Sequence, residues 1–130
     1  MIVPSNVEFK HPELLKEYQL IHPKLQLILE DMAQFVVSNG HKFVITDLLS
    51  EELEDKKLKR VSKSHVEGRA ADLRVRDWPV DFRKKFQDYF EKKYLKYAAI
   101  SLKTGQANLI EIHSVGSGIH THVQIRRNLI

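Results

Sequence analysis

The sequence predicts an α+β domain in which helices flank a mainly antiparallel sheet. Two segments repeat apolar residues at helical steps, and several short runs rich in β-branched residues indicate strands. These helical and extended segments do not alternate strictly, as they would around a parallel sheet. The 130 residues match the usual size of one domain, so we expect residues 1–130 to fold as a single unit.

Three helices are expected outside the segment between the first two predicted strands. A short one covers residues 12–20, and a longer one covers residues 23–37, with Pro23 in its first turn and Asn39-Gly40 at its end. The third helix begins at Pro79. Its predicted apolar face consists of Phe82, Phe86, Tyr89, Phe90 and Tyr94.

The remaining apolar runs predict strands. These lie at residues 43–46, 70–75, 98–102, 109–113 and 119–125. The glycine-rich segment 115–118 predicts a hairpin turn between the last two strands. A charged connection of about twenty residues separates the first two strands, and part of it, 50–59, is expected to form a short exposed helix. Long connections of this kind are often functional.

The composition excludes several classes of site and partner. The absence of cysteine rules out disulfides, thiolate metal ligands and cysteine nucleophiles. The net charge is +4, and the basic run 56–63 has no interleaved aromatic residues, so we interpret it as a solvated loop and expect no specific nucleic-acid binding. The sequence also shows no apolar stretch long enough to span a membrane and no signal-peptide pattern, so we expect neither.

The last predicted strand carries an unusual polar face. A period of two places Ile119, Thr121, Val123 and Ile125 on one face and puts the polar side chains on the other. That polar face consists of His120, His122 and Gln124. On this strand alone, two solvent-facing histidines explain the pattern as well as a functional site does.

A second candidate cluster lies before and within the strand at 70–75. His65 precedes Asp72 by seven residues, across Gly68, which permits a sharp turn into the strand. Taken alone, His65 could cap a turn and Asp72 could pair with a nearby arginine, while we interpret Glu67 and Arg69 as exposed loop charges. Taken with the last strand, however, a histidine, a carboxylate and a distant histidine form the ligand set of a catalytic zinc site, with a fourth position open to water.

Two motifs resemble a known peptidase family. His65-X-X-Gly68-X-Ala70-X-Asp72 and His120-X-His122 resemble those of the zinc D-alanyl-D-alanine carboxypeptidases, dipeptidases and phage L-alanyl-D-glutamate endolysins. The zinc-binding amino-terminal domain of hedgehog signalling proteins shares this fold. The family pattern also has a serine two residues before the first histidine. Here either Ser62 fills that role, with His65 one residue late, or Ser64 does and directly precedes His65. The resemblance spans roughly residues 20–126.

The resemblance implies a hedgehog/DD-peptidase-like zinc fold and a set of roles. It implies that His65, Asp72 and His122 bind Zn²⁺ and that His120 lies beside the metal as a catalytic residue. Family peptidases commonly have an acid three residues before the last zinc histidine, but that residue here is Ile119. The nearest upstream acid, Glu111 on the partner strand of the predicted hairpin, is therefore our candidate general base. Three further residues have lesser expected roles, namely His113 and Asp47 as weaker candidate bases and Gln124 as a support for a neighbouring ligand.

These inferences lead to one expected function and one main alternative. We expect a single zinc metallopeptidase-like domain that hydrolyses peptide bonds in peptidoglycan stem peptides, acting as a monomer and without a membrane partner. A phage or prophage lysin, synthesised in the cytoplasm and released to the cell wall, would suit the chain, although its localisation stays open. The alternative is a non-catalytic zinc-binding module of the same fold, favoured by Ile119. A basic nucleic-acid-binding protein is supported only by the pI of about 9.3.

Overall fold

The structure is a computed structural model that describes residues 3–49, 68–100, 105–115 and 118–126. Within the last two ranges it leaves the side chains of residues 113–115, 118 and 120 undescribed. The longer elements are three helices and five sheet strands, namely β1 (Val7–Phe9), α1 (Glu13–Tyr18), α2 (Pro23–Ser38), β2 (Phe43–Asp47), β3 (Ala70–Arg74), α3 (Val80–Lys93), β6 (Ile110–Val115) and β7 (Gly118–Gln124). A 3-10 turn (Leu95–Tyr97) and the two-residue strands β4 (Ala99–Ile100) and β5 (Ala107–Asn108) lie between α3 and β6.

The sheet is mixed and mostly antiparallel. Its strand order is β1-β2-β3-β7-β6, and only the β1–β2 pair is parallel among the strands described. Strands β4 and β5 form a separate two-stranded ribbon. The prediction of an α+β fold with a mainly antiparallel sheet flanked by helices is thus confirmed. Strands β1 and β5 were not predicted, and the predicted helix at 50–59 lies outside the described residues.

Helix α2 begins and ends at the residues that favour those positions. Pro23 is its first residue, and Nδ1 of His22 accepts a hydrogen bond of 3.0 Å from the backbone N–H of Lys24. Asn39 caps the other end, and Gly40 follows with a φ of 83°, a conformation that glycine adopts without steric cost. The helix contributes six fully buried apolar side chains to the core, namely Leu25, Ile28, Leu29, Met32, Ala33 and Val36.

Helix α3 packs an aromatic face on α2 and the sheet. Phe82, Phe86 and Phe90 are buried as the helical spacing predicts, whereas Tyr89 remains 46% exposed. Tyr89 nevertheless stacks on Phe35 of α2, with ring centroids 5.1 Å apart. None of the helices described is long and apolar enough to cross a bilayer.

The two faces of the sheet differ in character. Apolar side chains from the strands join the helices in one core, and they include Phe43, Ile45, Ala71, Leu73, Ile110 and Val123. The alternate residues point to the opposite face. On that face the described side chains of Val44, Asp72, Arg74, Glu111 and His122 are intermediate or exposed. In the described part of the chain, the helices therefore cover one side of the sheet, and the polar side is available for a site.

Gly68 sets the entry into β3. Its φ is 70°, and a Cβ at this position would lie 3.3 Å from the backbone Cα of Ile21. Its carbonyl also accepts a hydrogen bond of 3.0 Å from the N–H of His22. The motif glycine thus fits a close approach between β3 and the turn before α2, which fixes where β3 begins.

Candidate functional site

Two inner strands of the sheet, β3 and β7, bring Asp72 and His122 together. The strand register places the two residues directly opposite each other, so their side chains project from the same face. Oδ1 of Asp72 lies 2.9 Å from Nδ1 of His122. The side chains are 21% and 19% exposed, respectively, so the pair is mostly shielded yet still within reach of solvent.

Both ring nitrogens of His122 face oxygen atoms. Nδ1 contacts the carboxylate of Asp72, and Nε2 lies 2.8 Å from Oε1 of Gln124. A neutral imidazole has a single N–H, so only the protonated ring donates both of these hydrogen bonds. With Oε1 facing the ring, the arrangement therefore favours a cation at this position.

The pKa of His122 follows from the same contacts. Burial acts to lower it, but the hydrogen bond and charge of Asp72, the hydrogen bond to Gln124 and the charge of Glu111 together raise the pKa above its usual value. A metal ion is a cation that replaces a ring proton when it binds histidine. The environment that stabilises the imidazolium would thus also stabilise a bound divalent metal.

The Asp72–His122 pair fits two neighbouring ligands of a zinc ion. Zinc binds imidazole nitrogen and carboxylate oxygen at about 2.0–2.2 Å, which places two tetrahedral ligand atoms about 3.3 Å apart. The observed separation of 2.9 Å needs to widen by only a few tenths of an ångström. Gln124 lies on the other side of the ring, where it can hold His122 in orientation.

The third predicted ligand, His65, lies outside the described residues. Among the side chains that are described, no group of three or more histidine, aspartate or glutamate residues forms a metal site. The described part of the candidate centre is therefore the Asp72–His122 pair.

Glu111, the candidate base, lies beside this pair. It is an exposed residue of β6 and stands directly opposite His122 in the register of β6 and β7. The sequence alone could not set this register, because a one-residue slip moves a side chain to the other face. A small pocket of about 20 Å³ is lined by Glu111, His122 and Gln124, among others, which is room for about one water molecule.

The neighbouring row of the sheet contains His120. Its backbone is opposite Arg74 on one side and His113 on the other. His120 therefore lies on the same face of β7 as His122, two residues away, as the sequence predicts. The side chains of His113 and His120 belong to those the structure leaves undescribed.

Asp47, a weaker candidate for the base, lies at the end of β2. The register places it opposite Asp72, after an irregularity between Ile45 and Asp47. Oδ1 of Asp47 accepts a hydrogen bond of 3.0 Å from the N–H of Leu48. Asp47 thus helps to end the strand, in addition to lying in the same row as the candidate pair.

The interpretation of Arg69 as an exposed loop charge is wrong. Its side chain is only 8% exposed, and Nη1 donates a hydrogen bond of 2.7 Å to the carbonyl of Ile125. The backbone N–H of Ile125 in turn donates to the carbonyl of Arg69, at 3.0 Å. Arg69 therefore connects the start of β3 to the end of β7, because its side chain and its backbone both bond to Ile125. The glutamate next to it in the sequence, Glu67, lies outside the described residues.

Arg74 was not singled out by the sequence analysis. It follows Asp72 by two residues, so its side chain lies on the same face of β3. That spacing was readable from the sequence, but many arginines occupy exposed strand positions, and only the surrounding fold distinguishes this one.

Comparison with protein-family models, with curated protein sequences and with solved structures found no match to the chain.

Proposed function

We propose that this protein is a zinc-dependent peptidase that hydrolyses peptide bonds in peptidoglycan stem peptides. The observation that supports this most is the contact of 2.9 Å between Asp72 and His122, with Glu111 in register on the next strand. Metal-assisted hydrolysis needs metal ligands and a group that transfers protons. Asp72 and His122 supply a carboxylate and an imidazole as ligands, and Glu111 in the same row supplies a further carboxylate. The proposed class includes phage and prophage lysins.

In this proposal Asp72 and His122 hold Zn²⁺ together with His65, and Gln124 orients the ring of His122. A bound zinc ion would lower the pKa of a water molecule and polarise the scissile carbonyl. Carboxylate and imidazole donors suit zinc, and the contact distance between them fits two adjacent ligand positions.

Glu111 and His120 carry the proton and charge chemistry of the proposal. Glu111 accepts a proton from the attacking water as the new C–O bond forms. It then gives that proton to the leaving amine as the peptide C–N bond breaks, so the carboxylate is restored. His120 lies two residues before His122 in β7, and in this proposal its role is to donate a hydrogen bond to the developing oxyanion.

A second candidate function is a non-catalytic zinc-binding module. It is favoured by Ile119, which occupies the position of the family acid and packs partly buried against the core. An apolar residue that faces the core cannot transfer protons at the site. In this case Asp72 and His122 would bind metal without hydrolysis, and Glu111 would be an exposed strand residue.

The experiment that separates these functions is a digest of purified peptidoglycan. Zinc-loaded protein is incubated with cell walls of several stem-peptide types, with and without a chelator, and the products are read by mass spectrometry. A His122→Ala variant is the matched control, because it removes one proposed ligand. We expect new peptide ends that disappear with the chelator, return with added zinc and are absent with the variant.

Two outcomes contradict the proposal. If verified zinc-loaded protein produces no new ends from any wall type, the non-catalytic module is favoured and Ile119 is the explanation to test. If new ends appear equally with the chelator and with His122→Ala, the hydrolysis does not depend on this metal site.

A further inference from the structure

A cavity of about 470 Å³ lies beside β1, β2 and β3, and its lining includes Arg74, two residues after Asp72 of the candidate metal pair. Its size is within the range of small-ligand pockets. Strands β1, β2 and β3 and the turns beside them form its walls. Its charged lining residues are Glu8, Lys10, Lys42, Arg74 and Asp77, and Trp78 also lines it. The described mechanism uses none of these residues, so the cavity needs a separate explanation.

Arg74 connects this cavity to the candidate metal pair. It lies two residues after Asp72 on β3, and residues at this spacing share a face of the strand, with Cα atoms about 7 Å apart. Across the sheet, Arg74 is opposite Val44 of β2 and His120 of β7. Among the residues that line the cavity, Arg74 is therefore the one nearest to Asp72 along β3.

The charge of Arg74 is not neutralised by its described surroundings. The residue is half-buried, yet in the part of the chain that the structure describes its guanidinium makes no hydrogen bond or ion pair. Arg83, by contrast, donates from Nε to the carbonyl of Val75 and from Nη2 to that of Arg76. Partly burying a charge without a partner costs free energy, so a ligand that pairs with Arg74 gains from it.

The charged residues that line the cavity carry a net positive charge of one, which favours an anionic group. Three cations, Arg74, Lys10 and Lys42, line it against two carboxylates, Glu8 and Asp77. The planar guanidinium matches a carboxylate, which it binds through two parallel hydrogen bonds. A peptide that occupies the Asp72–His122 pair would thus meet a carboxylate-binding group one strand position away.

We propose that this cavity binds a carboxylate group of the peptide substrate and that Arg74 is the residue that anchors it. The inference rests on the proposed function for the identity of the substrate. The binding step itself requires neither zinc nor hydrolysis, so it can be tested separately.

Trp78 provides a reporter for the binding test. It is the only tryptophan in the chain and lines the cavity. Its Nε1 donates a hydrogen bond of 3.0 Å to the carbonyl of Lys42. The intrinsic fluorescence of the protein therefore comes mainly from one wall of the proposed binding site, and isothermal titration calorimetry provides an independent affinity.

The probes are N-acetyl-D-alanyl-D-alanine and its C-terminal amide, titrated into the full chain without zinc. We expect the free acid to bind more tightly than the amide. We expect Arg74→Gln to weaken binding of the acid by about 10- to 100-fold, the usual effect of losing a charge-assisted hydrogen bond, and to leave the amide unchanged. Arg74→Lys retains the charge but not the paired donors. Its affinity for the acid should therefore lie between those of the unmodified protein and of Arg74→Gln.

The matched control is Arg76→Gln, which removes an exposed arginine that does not line the cavity. It should bind the acid like the unmodified protein, and circular dichroism verifies that both glutamine variants are folded. Three outcomes would each overturn the inference. The unmodified protein binds the acid and the amide equally tightly, folded Arg74→Gln binds the acid as tightly as the unmodified protein does, or the acid does not bind at millimolar concentration. Failure of the peptidoglycan digest alone would overturn the proposed function and leave the carboxylate site standing.

Discussion

Asp72 and His122 are fifty residues apart in the sequence, yet Oδ1 of one lies 2.9 Å from Nδ1 of the other. The contact follows from the antiparallel register of β3 and β7, which places the two residues directly opposite each other. Ala71 and Val123, which flank them, are fully buried on the other face. A slip of one residue would expose these apolar neighbours, so the hydrophobic core stabilises the register that forms the polar pair.

Replacing either member of this pair is expected to abolish tight zinc binding. Asp72→Asn keeps the shape of the side chain but removes the charge, and His122→Ala removes the imidazole. Each should weaken zinc binding by at least about 100-fold, more than the 10- to 100-fold typical of residues that only orient a ligand. Competition with a chromogenic chelator measures the affinity.

The controls for this test are Asp88→Asn and His11→Ala, which change exposed residues of the same types that lie outside the sheet strands. Both should retain the zinc affinity of the unmodified protein. If Asp72→Asn or His122→Ala also retained it, the ligand assignment would be wrong.

The sequence predicted those parts of the fold that depend on local periodicity. Alternation in residues 119–125 identified the face that contains His122, and the spacing of Phe82, Phe86 and Phe90 identified the buried side of α3. Strand β1 was missed because a three-residue strand carries too little periodic signal. Its parallel pairing with β2 is a long-range contact that no local pattern indicates.

Long-range contacts also explain what remained unpredictable at the site. The position of Glu111 opposite His122 depends on how β6 pairs with β7, which the sequence left open. The burial of Arg69 depends on the end of β7, more than fifty residues later, whose carbonyl accepts its hydrogen bond. The position of Arg74 in a cavity depends on the folding of β1, β2 and β3 around it, which no local pattern indicates.

Glu111→Gln is expected to separate hydrolysis from metal binding. The change removes the proton acceptor while keeping the size of the side chain, and general-base catalysis contributes about 10²- to 10⁴-fold. Stem-peptide hydrolysis should therefore fall by at least about 100-fold at unchanged zinc content, measured by mass spectrometry and metal analysis. Glu13→Gln, an exposed change in α1, is the control and should keep full activity. Full activity in Glu111→Gln would exclude Glu111 as the base.

His120→Ala is expected to retain zinc but lose hydrolysis. His120 lies on the same face as His122, one row along the sheet, and in our proposal it donates to the oxyanion instead of binding metal. Loss of an oxyanion donor typically lowers kcat by about 10²- to 10³-fold. A decrease in kcat with little change in KM would match this role. Loss of zinc from the variant would instead make His120 a ligand.

The pH dependence of stability is expected to include a contribution from Glu91. Its side chain accepts hydrogen bonds from the backbone of Leu109 and Ile110, and burial, together with the charge of Glu111, raises its pKa despite them. A raised pKa means that the folded protein binds this proton more tightly than the unfolded chain does. The free energy of unfolding should therefore fall as the pH rises from the ordinary glutamate value, about 4.3, through the raised pKa.

Urea unfolding at a series of pH values measures this contribution. In Glu91→Gln the free energy of unfolding should decrease less as the pH rises, because the titrating group is absent. The exposed change Glu13→Gln should show the same decrease as the unmodified protein. The same pH dependence in Glu91→Gln and in the unmodified protein would show that Glu91 does not titrate in this range.

Arg69→Ala is expected to destabilise the fold through the ends of β3 and β7. The change removes the hydrogen bond of 2.7 Å from Nη1 to the carbonyl of Ile125 and leaves that carbonyl without this donor. A hydrogen bond to a charged group contributes about 1.5–3 kcal/mol, so the free energy of unfolding should fall by about that amount. Arg126→Ala, an exposed arginine next to Ile125, should change it by less than about 0.5 kcal/mol. Similar small losses in both variants would mean that the buried contact of Arg69 does not stabilise the strand ends that position Asp72 and His122.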